Sequence, residues 1–108
     1  MTIKVGEIGK IFRLAASFDM SASTALTIKL TDPDGVETTI TNPRVTAPAS
    51  TITDPDLGPL TASTYMQFTT LATDFTVAGT WTACGVYVDA TPKEFHSDQA
   101  TFTIGDAC

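Results

Sequence analysis

Phe75-Thr-Val-Ala-Gly-Thr-Trp-Thr-Ala-Cys-Gly-Val-Tyr-Val-Asp-Ala90 is the stretch that decides the architecture. Gly79 follows a polar lead-in and admits positive φ without steric cost, so a turn is predicted there. From Thr80 to Val88 the chain reads as a strand. Trp81, Ala83, Gly85 and Tyr87 fall on one face, and Thr82, Cys84, Val86 and Val88 on the other. Threonine, tryptophan, valine and tyrosine suit a pleated, half-buried surface. Neither face is strongly polar, which predicts a central strand in a two-layer β structure.

Outward from this strand the pattern repeats. Thr2 to Val5 is a short strand, closed by the bend Gly6-Glu-Ile-Gly9. Lys10 to Phe18 alternates, with Phe12, Leu14, Ala16 and Phe18 facing inward. Asp19 to Thr24 is a loop. Ala25 to Thr31 turns Leu26, Ile28 and Leu30 in and Thr27, Lys29 and Thr31 out. Asp32-Pro-Asp-Gly35 combines a preset φ with a glycine, a turn that sends Val36 to Thr41 back as a hairpin. Thr64 to Leu71 points Met66 and Phe68 inward, and Ala72 to Ala78 makes a corner with room for one helical turn. After the central strand, Thr91-Pro-Lys-Glu94 turns the chain into Phe95 to Ile104, with Ala100, Phe102 and Ile104 inward. The sum is an all-β, immunoglobulin-like antiparallel sandwich of about seven to eight strands, one domain over residues 1–108. Its predicted core is Phe12, Leu14, Leu26, Ile28, Leu30, Met66, Phe68, Trp81, Phe102 and Ile104. Residues 42–63 carry Pro43, Pro48, Pro55 and Pro59 and read as a long irregular section. Short extended pieces are expected at Arg44 to Thr46 and Ser50 to Thr53, held at an edge by proline. A section this long in so small a domain is expected to contact a partner.

Composition excludes several functions. With 43% hydrophobic residues in 108, the chain buries a core without staples. Charged residues make up only 17%, against about 25% in ordinary domains. Threonine takes their place, and a surface poor in ions costs less to dock. The net charge of −6 and the scatter of Lys4, Lys10, Arg13, Lys29, Arg44 and Lys93 argue against nucleic acid. There is no membrane-length apolar run. The opening Met-Thr-Ile-Lys-Val-Gly6 lacks the features of a signal peptide, so the chain is expected to begin as translated and to fold in a cytoplasm. Cys84 and Cys108 are then free thiols.

No constellation of catalytic, cofactor-binding or metal-binding residues emerges. Lys10 is followed by Ile11, which breaks the phosphate-loop pattern. His96 is the single histidine and lacks triad or zinc partners in sequence. Asp32 and Asp34, like Asp54 and Asp56, read as turns in which aspartate caps its own backbone rather than as calcium loops. Tyr65, Tyr87 and Trp81 do not make a sugar platform, since Trp81 reads as core. The outer face of the central strand (Cys84, Val86, Val88) allows two explanations: cover from within the domain, for which the proline-rich section has the length, or docking on another subunit. Cys84, Val86, Val88, Arg44, Val45, Leu57 and Leu60 are therefore the interface candidates.

Three segments carry a resemblance: Val5-Gly-Glu-Ile-Gly9, Lys29-Leu-Thr-Asp-Pro-Asp-Gly35 and Thr73-Asp-Phe-Thr-Val-Ala-Gly-Thr-Trp81. Together the chain resembles small bacteriophage immunoglobulin-like virion proteins and the N-terminal domains of baseplate-attached fibre proteins. The section 42–63 departs from that pattern, and with Cys108 as the last residue a stand-alone decoration or neck protein is the expected variant. The resemblance implies a non-enzymatic virion structural protein without cofactors, built in multiple copies into a symmetric assembly. Its partners would be capsid, portal, neck or tail subunits, assembled in the host bacterial cytoplasm. The alternative is a free binding module for a glycan or host surface protein. No functional residues transfer from the resemblance.

Overall fold

A computed structural model describes residues 3–16 and 18–106. Ten strands follow in chain order: β1 (Ile3–Lys4), β2 (Ile11–Ala15), β3 (Ser23–Thr31), β4 (Glu37–Thr41), β5 (Ile52–Asp54), β6 (Gly58–Leu60), β7 (Tyr65–Thr69), β8 (Gly79–Asp89), β9 (Glu94–His96) and β10 (Ala100–Gly105). No helix occurs among the described residues, so the corner before β8 is made of turns alone. The large sheet runs β1-β10-β8-β3-β4, with β9 also paired to β8. A two-stranded sheet, β2-β7, packs against it, and β5-β6 form a separate hairpin. All pairs are antiparallel except β1 with β10.

The central strand sits where its sequence predicts. β8 is flanked by β3 on one side and by β10 and β9 on the other. Its inward face buries Trp81, Ala83 and Tyr87. The indole Nε1 donates to the Val77 carbonyl at 2.9 Å, which satisfies its one polar atom inside the core. Phe75 meets Trp81 edge-on, with centroids 5.1 Å apart, and Phe12 bridges Phe68 and Phe102. Gly79 opens the strand at φ 133°, and a Cβ there would lie 2.8 Å from Pro33 Cγ. The Asp32-Pro-Asp-Gly35 turn thus rests on the entrance to β8. Asp32 Oδ1 holds that turn by accepting the Asp34 and Val36 N–H groups.

Nine of the ten predicted core residues are buried; Phe102 packs against the core but stays partly open. Several boundaries differ from the sequence reading. β3 begins at Ser23, two residues early, through an irregularity between Ser23 and Ala25. The predicted closing strand is split in two. Val86 faces His96 and Ala83 faces Ala100, so Cys84 and Gly85 oppose three residues, a β-bulge. Ser97 knits it together, donating its N–H to the Gly85 carbonyl at 2.9 Å and accepting the Gly85 N–H on its hydroxyl at 2.8 Å. Phe18 lies beyond β2 and is half-buried, in contact with Tyr87 and Phe95.

The proline-rich section is more ordered in its hydrogen bonding than the sequence suggests. Thr46 bridges Gln67 of β7, β5 and β6 form their hairpin, and Ser63 donates to the Pro48 carbonyl. The Tyr65 hydroxyl donates to the Ser50 carbonyl, and Arg13 pairs with Asp54 at 2.9 Å. The bonds of Thr46, Ser50 and Asp54 tie the section to the β2-β7 sheet, where it covers the outward side of Tyr65.

Candidate docking face

The cover on β2-β7 corrects one of the two explanations offered for the central strand. The proline-rich section does not lie over Cys84, Val86 and Val88; it folds back onto the opposite sheet. The outer face of the large sheet is thus left without cover from that section, although Val86 at its centre is buried. Strand register sets its surface in rows: Thr41, Thr27, Val86 and His96 in one, Thr39, Lys29 and Cys84 in the next, Glu37, Thr31, Thr82 and Thr101 in a third. Thr80 and Thr103 continue the pattern below, while Ala25, Val88 and Glu94 continue it above.

Eight threonines (27, 31, 39, 41, 80, 82, 101 and 103) share this face. Among the described residues, hydrogen bonds within the protein employ the hydroxyls of Thr24, Thr51, Thr64, Thr70 and Thr91, but none of these eight. Each is thus a donor and acceptor aimed at whatever meets the sheet. Between them Val86 is buried, and Cys84 and Val88 are half-buried. Lys29 is the charge inside the rows, with Glu37 and Glu94 at the margin. His96 Nε2 lies 2.7 Å from Glu94 Oε1, both side chains more than half exposed, so the pair is a surface contact. The result is a sheet face rich in neutral hydroxyls, with few ions to desolvate.

The remaining interface candidates are placed differently. Val45 is fully buried and Leu60 nearly so; neither presents surface, because both anchor the proline-rich section. Arg44 holds Asp74 through two bonds of 2.6 and 3.1 Å, adds one to the Thr69 carbonyl, and lies over the Phe68 ring. Leu57 is exposed at the β5-β6 tip, on a cavity it shares with Thr101 and Thr103 of β10. Asp54 caps its own hairpin by accepting the Asp56 and Leu57 N–H groups, the role expected of it. Among the described residues no group of three metal-ligating side chains occurs, and Cys84 is a free thiol; Cys108 lies outside the described residues. The threonine rows were not singled out from sequence, although the alternation of β3, β4, β8 and β10 held the signal.

No known protein family, curated protein or solved structure matches this chain.

Proposed function

We propose that this chain is a non-enzymatic structural protein of a bacteriophage particle, an immunoglobulin-like domain that docks on other virion subunits through the outer face of its large sheet. The open face carries the proposal: a central strand with Val86 and Val88 outward, ringed by eight uncommitted threonine hydroxyls, and left uncovered by the one segment long enough to cover it. Apolar area flanked by neutral polar groups is the composition of an interface core. The immunoglobulin-like assignment draws support from the strand order, in which β10, β8, β3 and β4 form one layer and β2 and β7 the other. The virion assignment draws on the three resembling segments.

The test is incorporation. Mass spectrometry of purified virions should find the polypeptide in the particle, and its absence removes the proposal. Thr82→Arg and Val88→Arg place a bulky charge on the open face without touching the core. Both should abolish incorporation while leaving the urea midpoint of the isolated domain unchanged. Saturable binding on a glycan array, lost in the same variants, would instead identify a free recognition module.

A further inference from the structure

The small sheet is narrower than the layer it covers, and the β2 side of it is an unpaired edge among the described residues. β2 pairs only with β7 among the described residues, so its other edge is open from Ile11 to Ala15. The hydrogen-bond phase identifies which groups face that edge. Thr70 donates to the Lys10 carbonyl and Ala16 to the Thr64 carbonyl, so residues of even number in β2 bond toward β7. The N–H and C=O groups of Ile11, Arg13 and Ala15 therefore point the other way. These six main-chain groups have no protein partner among the described residues.

A trench runs beside this edge. One cavity, of about 360 Å³, lies between Arg13, Phe102 and its neighbours on β10, and the hairpin tip at Asp54 and Leu57. A second, of about 440 Å³, shares Arg13 and Asp54 and reaches Ile3 and Ile11. Phe102 and Ile3 come from the large sheet, while the tip overhangs from the outer side, pinned by the Arg13–Asp54 pair. β1 does not serve this edge, since it is committed to β10 through Ile3, Lys4 and the Val5 N–H.

We propose that the trench binds an extended peptide arm of a partner protein, which adds to β2 as a third strand of the small sheet. Unsatisfied main-chain groups at alternate residues select an extended backbone, the recognition mode of strand addition. Phe102 on the large-sheet side selects apolar side chains at every second position of the arm, with polar residues between them. The trench meets the threonine face at Thr101 and Thr103 of β10, but the open main-chain edge of β2 is no part of that face, so the inference stands whether or not that face docks on a virion.

A synthetic peptide of five alternating threonine and valine residues between two lysines serves as the probe. Added at millimolar concentration, it should slow amide exchange at Ile11, Arg13 and Ala15 by about tenfold, with Thr39 on the open edge of β4 unaffected. The same peptide N-methylated on alternate residues should have no effect. Ile11→Pro and Ala15→Pro remove an N–H that faces the trench and spare the β7 ladder, a placement edge strands tolerate. Each should keep the Trp81 fluorescence of the folded state and lose the peptide response. Absence of protection, equal protection at Thr39, or binding that survives N-methylation or both proline variants would overturn the proposal.

Discussion

Gly85 and Met66 face one another across the sandwich so closely that a Cβ on residue 85 would lie 3.0 Å from both Sδ and Cε of Met66. Leu14 Cδ2 would be 3.2 Å away on the same side. The glycine is therefore what lets β8 approach the β2-β7 sheet. Gly85→Ala should overpack this point and destabilise the domain by about 1–3 kcal/mol, measured by urea unfolding. Met66→Ala opens space beside it, so the double variant should be more stable than the sum of the two single effects predicts.

Directly behind that contact, Ser97 is the only partner the Gly85 N–H has within the bulge. Ser97→Ala leaves this buried donor unsatisfied while keeping the side chain small. A loss of about 1–3 kcal/mol is expected. Ser97→Thr retains the hydroxyl and should lose less. Equal losses in the two variants would mean that packing, not the hydrogen bond, holds the bulge.

Arg44 and Asp74 form the ion pair with the most buried carboxylate among the described residues, its side chain 4% and the arginine 35% exposed. Asp74 also accepts the Leu71 N–H at 2.7 Å, so it fastens the corner ahead of β8. Arg44→Ala strands that carboxylate. Removing one partner of a fully buried pair costs about 3–5 kcal/mol. Partial exposure of Arg44 lowers the expectation to about 2–3 kcal/mol. Arg44→Lys keeps the charge but not the two-pronged geometry and should fall between. Thermal unfolding of the three proteins orders them.

The sequence disclosed the strands that alternate cleanly and hid what depends on register. Leu26, Ile28 and Leu30 against Thr27, Lys29 and Thr31 fix the inner face of β3 by period alone. The bulge at Ser97 adds one residue to a run that otherwise looks continuous, so β9 and β10 read as a single strand. The β5-β6 hairpin was hidden by Pro55 and Pro59, which argue against strand, and by the shortness of both arms. Which sheet the proline-rich section would cover was also out of reach, because alternation gives a residue's face and not its distant neighbours. Two signals did exist. Tyr65 is a large ring at an outward position of β7, where that section meets it, and Val45 is an isolated apolar residue of the section that packs into the core. Phe102 meets Phe12 at the unpaired edge of the small sheet and stays half-open there, which alternation alone does not reveal.

Asp54 links the hairpin to β2, and its ionisation makes that link sensitive to acid. Burial raises its pKa, but the Leu57 N–H and the Arg13 guanidinium outweigh burial and hold the carboxyl below the usual 3.8. A carboxyl whose folded pKa is depressed contributes stability that is present above its unfolded pKa and lost as pH falls through the folded one. The wild-type urea midpoint should therefore decline as pH drops below about 4, where the unfolded chain takes up the proton first. Asp54→Asn can still accept the Asp56 and Leu57 N–H groups but no longer titrates. Its midpoint should be lower than wild type at pH 6, and its decline below pH 4 shallower, so that the two curves converge in acid. Parallel curves across that range would show that the Arg13–Asp54 pair does not couple the hairpin's attachment to pH.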